Sequence, residues 1–131
     1  MRQQYKILVV DDDPDIIEAI TTILESVEEY DVRTARDGLA CMQAVKEDVP
    51  DLLILDLLMP RMDGFAVVRD LRENPRYRKL PIMILTSVRA DASYRRYELE
   101  TGLRMDVQDY IEKPMPPAEL MRRVSKLLKR G

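Results

Sequence analysis

The groups able to do chemistry in this chain are acids, hydroxyls and one lysine, set far apart: Asp11-Asp12-Asp13, then Asp56, then Thr86-Ser87, then Lys113. Carboxylates brought within a few ångström of each other repel, and without compensation one of them is driven toward its protonated form. A hard divalent cation removes that conflict. Magnesium, with manganese as its substitute, prefers oxygen ligands, keeps several waters, and takes one or two protein carboxylates plus an oxygen of a phosphorylated ligand. Lys113 offers a point charge to a phosphate oxygen, and the Thr86 and Ser87 hydroxyls offer hydrogen bonds. A carboxylate in such company is a nucleophile toward phosphorus, giving an aspartyl phosphate while metal and lysine stabilise the transferring group. Asp56, which closes the apolar run Leu52 to Leu55, is one of these carboxylates. The plainer reading of Asp56 is a turn acid at the end of a buried strand.

These groups can meet only if strand ends carry them to one place. Tyr5 to Val10 is apolar and β-branched and stops at the three aspartates, a central strand. Asp13 suits a helix cap better than a ligand, Pro14 suits the first turn, and Ile16, Ile17, Ile20, Ile23, Leu24 and Val27 then recur at helical spacing to about Glu28–Tyr30. A second strand, Asp31 to Ala35, leads through Asp37-Gly38 into a helix bearing Leu39, Met42 and Val45. The third strand is Leu52 to Asp56. Asp63, before Gly64, reads as a turn or cap residue, and the helix with Phe65, Val68 and Leu71 ends near Asn74, before Pro75. Ile82 to Leu85 forms the fourth strand and ends at Thr86 and Ser87. An exposed helix over 89–102 precedes a short fifth strand, Val107 to Ile111, and Pro116-Pro117 opens a last helix with Leu120, Met121, Val124, Leu127 and Leu128 on one face. Such alternation calls for an α/β, doubly wound parallel sheet with helices on both faces, whose ligand site lies beyond the carboxyl ends of the strands.

Composition removes other chemistries. With 131 residues the chain makes one domain, 1–131, with a core over about 5–129 and no output domain. It has no histidine, which excludes Ser-His triads, His-based zinc sites and His general bases. A net charge of -3 gives no bulk attraction to nucleic acid. Arg122, Arg123, Lys126, Lys129 and Arg130 read as the solvated face and last turns of the final helix, not as a patch for nucleic acid or membrane. No apolar run approaches a membrane span and the N-terminus lacks a signal-peptide core, so a cytoplasmic protein is expected. Cys41, the single cysteine, suits a packed side chain in a reducing compartment. Met59 and Met62 read as loop and core filling.

Taken together, Val9-Val10-Asp11-Asp12-Asp13, the stretch Asp51 to Gly64 with its Asp-Leu-Leu-Met-Pro-Arg-Met-Asp-Gly, Ile84-Leu85-Thr86-Ser87 and Tyr110-Ile111-Glu112-Lys113-Pro114 resemble the receiver domains of two-component response regulators. The likeness covers essentially the whole chain. It implies a flavodoxin-like (βα)5 fold with strand order 2-1-3-4-5. By the same resemblance Asp56 is the phosphoacceptor, Asp12 a direct magnesium ligand, Asp11 a ligand directly or through water, and the backbone carbonyl of Leu58 a further ligand. Thr86 and Tyr110 correspond to the switch pair, Lys113 to the phosphate-contacting lysine, and Lys113-Pro114 to a peptide that the family commonly holds cis. On residue type alone, Tyr110 is equally a packed aromatic.

The resemblance implies a phosphorylation switch in a phosphorelay. It takes its phosphoryl group from a sensor histidine kinase, a histidine phosphotransfer protein or a small donor, and regulates a target or output domain. The regulating face would comprise helix 4 (over 89–102), strand 5 and helix 5, with no direct nucleic-acid or membrane partner and a monomer or phosphorylation-linked dimer as the unit. Leu58 and Val88 should flank the phosphate with apolar groups and slow its hydrolysis. The chain departs from the family between Thr86 and Lys113, where it is a few residues longer than a typical receiver and carries Leu103 to Gln108 in place of the usual Gly-Ala pair. Two other functions compete. A receiver-fold scaffold acting without phosphorylation would leave most of the sequence unchanged. A magnesium-dependent aspartyl-nucleophile phosphohydrolase of the haloacid dehalogenase type would want a second aspartate two residues after Asp56, where Leu58 stands. The expected protein is therefore a signalling domain and not an enzyme. A dinucleotide site fails for want of a Gly-rich turn after the first strand.

Overall fold

Parallel strands cannot be joined by tight turns, so each must be followed by a crossover that returns the chain to the same end of the sheet. The computed structural model, which describes residues 4–87, 95–96 and 106–129, has this arrangement. Its strands are β1 (Tyr5–Val10), β2 (Tyr30–Ala35), β3 (Leu52–Asp56), β4 (Ile82–Thr86) and β5 (Asp109–Glu112), all parallel and ordered β2-β1-β3-β4-β5. The described helices are α1 (Pro14–Glu25), α2 (Gly38–Glu47), α3 (Gly64–Glu73) and α4 (Pro117–Lys129). The helix expected over 89–102 falls outside the described residues except for Arg95 and Arg96, which are helical and exposed.

Side chains alternate across a strand, so each central strand feeds two cores. Leu8, Val10, Leu53, Leu55, Ile82 and Ile84 face Cys41 and Val45 of α2 and Val67 and Leu71 of α3. Ile7, Val9, Leu52, Ile54, Met83 and Leu85 face Ile20 and Leu24 of α1 and Leu120, Val124 and Leu127 of α4. That two-sided burial is why β3 and β4 read as unbroken apolar runs, while edge strand β2 mixes exposed and half-buried positions. Cys41 is buried as its place in the apolar stripe predicts. Burial and then the charge of Asp37 push its thiol up to about 12, so it stays protonated at neutral pH.

Two boundaries differ from the expectation by two residues or more. α1 stops at Glu25, before the expected Glu28–Tyr30, because the Ser26 hydroxyl donates to the Ile23 carbonyl at 2.7 Å and Val27 N–H donates to Leu24 at 3.0 Å. This turn lets β2 begin at Tyr30. β5 begins at Asp109, two residues after the expected Val107, because Gln108 is engaged with the start of β4. Its N–H donates to the Ile82 carbonyl at 2.9 Å, and its Oε1 accepts the Ile82 N–H at 2.7 Å.

Candidate functional site

Parallel pairing brings all carboxyl ends of the strands to one rim. Val10 pairs with Leu55, so Asp11, the residue after β1, comes to stand beside Asp56, the last of β3. Carboxylate oxygens of Asp11, Asp12 and Asp56 lie within 4.8 Å of one another. Lys113, directly after β5, reaches across β4 to both: its Nζ is 2.9 Å from Asp11 Oδ2 and 3.3 Å from Asp56 Oδ1. Asp11 Oδ1 accepts the Asp13 N–H at 3.0 Å, so both of its oxygens are engaged. Asp11 is 0% and Asp56 4% exposed, while Asp12 is exposed at the mouth.

Burial and then the charge of Asp11 push the Asp56 carboxyl up to about 6, against the opposing pull of Lys113. For Lys113, burial favours loss of the proton, but the hydrogen bond to Asp11 and the charges of Asp56 and Asp11 outweigh it and the net shift is upward. Among the described residues, the Lys113 ammonium pairs with Asp11 and Asp56, one positive charge beside three clustered carboxylates. The donor set is all oxygen with one edge open to solvent, which fits a hard divalent cation that retains waters.

The other acids do different work. Asp13 caps α1, its side chain accepting the Asp15 N–H at 2.9 Å, and Asp63 caps α3 by accepting the Ala66 N–H at 2.9 Å. Between Asp56 and Asp63 the chain folds back on itself. Gly64 N–H donates to the Leu57 carbonyl at 2.8 Å, and a Cβ at Gly64 would stand 2.5 Å from the Asp56 carbonyl oxygen. Glycine is therefore required there by close backbone approach. Leu58, partly buried, begins the excursion, and Met59 and Met62 pack against the α2–α3 core as fillers.

Thr86 closes β4, 7% exposed, and its hydroxyl donates to the Ile111 carbonyl of β5 at 3.4 Å. Ser87 follows, half-buried. Tyr110 lies on β5, partly buried against the α2–α3 core. Lys113-Pro114 is cis, as the resemblance implies. Val88 lies outside the described residues, so its flanking role stays an expectation.

Three contributors were not singled out from sequence. Arg36 donates to the Asp12 carbonyl at 3.2 Å, and Arg61, with φ 69°, pairs with Asp37, the N-cap of α2. The backbone N–H of Ala40 and then the Arg61 guanidinium hold the Asp37 carboxyl below its usual range. Asp37-Gly38 was legible as a turn, but nothing local signals that its partner lies 24 residues on.

The response regulator receiver domain family matches residues 7–125. The chain is 40% identical over 128 residues to a probable transcriptional regulator, ycf27, of Porphyridium aerugineum, covering 98% of this chain and 50% of that protein. It is 40% identical over 131 residues to the DNA-binding response regulator MtrA of Mycolicibacterium smegmatis, covering 100% and 53%. The chain thus spans about half the length of these relatives. Among solved structures, a putative response regulator from Chloroflexus aurantiacus superposes with TM-score 0.82 at 32% identity, covering 97% of this chain and 99% of that one. The receiver domain of a Pseudomonas aeruginosa sensor histidine kinase, described with a magnesium ion coordinated in its active-site cleft, matches with TM-score 0.80 at 28% identity, covering 96% and 98%.

Proposed function

The chain belongs to the response regulator receiver domain family of two-component systems, and on that footing we propose that it is a switch driven by phosphorylation of Asp56. The observation that carries this reading is the meeting of Asp11, Asp12 and Asp56 within 4.8 Å, bridged by Lys113, at the carboxyl rim of the sheet. An ionised Asp56 oxygen attacks the phosphorus of a phosphohistidine on a sensor histidine kinase or phosphotransfer protein, or of acetyl phosphate. The new P–O bond forms as the bond to the donor breaks, and its electron pair leaves with the donor group. Asp11, Asp12, Asp56 and the Leu58 carbonyl would hold magnesium, or manganese in its place. When bound, the ion neutralises the crowded carboxylates and stabilises charge on the transferring phosphoryl group. Lys113 shifts from bridging the acids to contacting a phosphate oxygen, while the Thr86 and Ser87 hydroxyls donate to the others.

Phosphate at this rim competes with Ile111 for the Thr86 hydroxyl. Thr86 moves toward the phosphate, Tyr110 turns inward, and the face formed by β5, α4 and the segment before β5 changes its population of states. A target or output domain reads that face. The expectation of no nucleic-acid partner is confined to this segment, since a relative twice its length is named a DNA-binding regulator. Among the described residues, no helix is long and apolar enough to cross a membrane.

Incubation with magnesium and acetyl phosphate followed by intact-mass measurement tests the chemistry. Wild type gains the mass of one phosphoryl group and Asp56→Asn gains none; equal gain in both would defeat the assignment.

A further inference from the structure

The turn between β2 and α2 contributes no group to the acidic cluster, yet it grips both the loop that carries Asp11 and Asp12 and the loop that follows Asp56. On one side, Asp11 N–H donates to the Ala35 carbonyl at 3.2 Å, and Arg36 Nη2 donates to the Asp12 carbonyl at 3.2 Å. On the other, Asp37 accepts from Arg61 through Nε at 3.0 Å and also through Nη2. Next to this pair, Gly38 lies so close to Met62 that a Cβ on it would stand 2.0 Å from the Met62 carbonyl oxygen. The post is firm: Asp37 is 11% exposed at its side chain and also caps α2 through the Ala40 N–H at 2.8 Å. Arg61 is the one non-glycine residue with positive φ among those described, a conformation an L side chain adopts at a cost and keeps only when its surroundings hold it. Its side chain is 62% exposed and folds back onto Asp37.

We propose that Asp37 and Arg61 are positioning residues for cation binding, forming with Arg36 and Gly38 a brace that sets the spacing between the Asp11-Asp12 loop and the loop after Asp56. The inference rests on reading the acidic cluster as a magnesium site. Magnesium demands near-octahedral geometry and tolerates little error in ligand position. Ligands drawn from two loops on different strands keep that geometry only if the loops are held to a common post. The β2–α2 turn is that post, because it touches the backbone of both and is anchored to a packed helix.

Calorimetric titration of the full chain with magnesium chloride tests the brace. Asp37→Asn keeps a good N-cap while removing the charge, and Arg61→Gly removes the guanidinium at a position where glycine accepts the backbone. Each should raise the magnesium Kd by about tenfold, in the manner of groups that orient metal ligands without touching the metal. The double variant should lose no more than either single, and Arg61→Lys should recover part of the affinity. Melting in EDTA checks that each variant is folded; because Arg61 is exposed, at least its variants should be. Wild-type magnesium affinity in the folded single variants would overturn the proposal, as would fully additive losses in the double variant. A wild-type protein that binds no magnesium would instead defeat the functional reading, and the brace with it.

Discussion

Asp56 is held in an environment that opposes its own charge. Burial and the neighbouring Asp11 raise its carboxyl to about 6, so between the ordinary carboxylate range and that value the folded protein holds a proton that the unfolded chain has released. Stability of the metal-free protein therefore falls as pH rises through this window and stays lower above it. Asp56→Asn should stabilise the metal-free protein at pH 7 by about 1–3 kcal/mol, read by urea unfolding in EDTA, with the gain shrinking toward pH 4. A variant no more stable than wild type at neutral pH would mean that Lys113 already balances the cluster. Magnesium should reverse the order of gains: at about a hundredfold excess over Kd, wild type gains about 2.7 kcal/mol and Asp56→Asn clearly less. Residue type alone made the acids and Lys113 legible. It also marked Asp13 as a helix cap and Asp63 as a turn or cap residue, and both are caps in the structure, facing the Asp15 and Ala66 N–H groups.

Among the elements, those that position the site are the ones buried on both faces. β3 and β4 were legible because two-sided burial writes itself into sequence as an uninterrupted apolar run, and α1 and α4 because one-sided burial writes a helical stripe. β5 was misplaced by two residues because Gln108 spends its N–H and side chain on Ile82, a contact between segments far apart in the chain. The loop between β3 and α3 is the tightest joint. A Cβ at Gly64 would meet Asp56 O at 2.5 Å and Leu57 Cα at 2.7 Å, both backbone atoms that cannot rotate away. Gly64→Ala should cost about 1–3 kcal/mol by chemical denaturation, as overpacked sites do, and weaken magnesium binding by displacing Asp56 and Leu58. Unchanged magnesium affinity in that variant would mean the helix end yields and the loop does not.

For the whole molecule, the question is how a charge at one rim reaches a surface. In this state Thr86 donates to Ile111, coupling the end of β4 to β5, and Tyr110 packs against the α2–α3 core. Beryllofluoride with magnesium, a mimic of the phosphoryl group, should change hydrogen exchange across β5 and the start of α4. Thr86→Val should still bind the mimic at Asp56 but lose most of that change, since it keeps the volume and loses the hydroxyl. The same conformation with and without the mimic would refute the switch. A phosphoryl group shifts this equilibrium only by interacting better with one state, and the proposed switch makes Thr86 the group whose partner would change. Residue order alone decided the layered α/β class, the strand order through family resemblance, and the acids, hydroxyl and lysine at strand ends, because periodicity and short motifs are local properties. Their convergence on one rim was expected from the strand ends and the resemblance; only the tertiary structure decided how these groups contact one another and what braces them. Arg61 pairs with Asp37, and Lys113 spans Asp11 and Asp56, through distances set by sheet register, which no local pattern in the chain encodes.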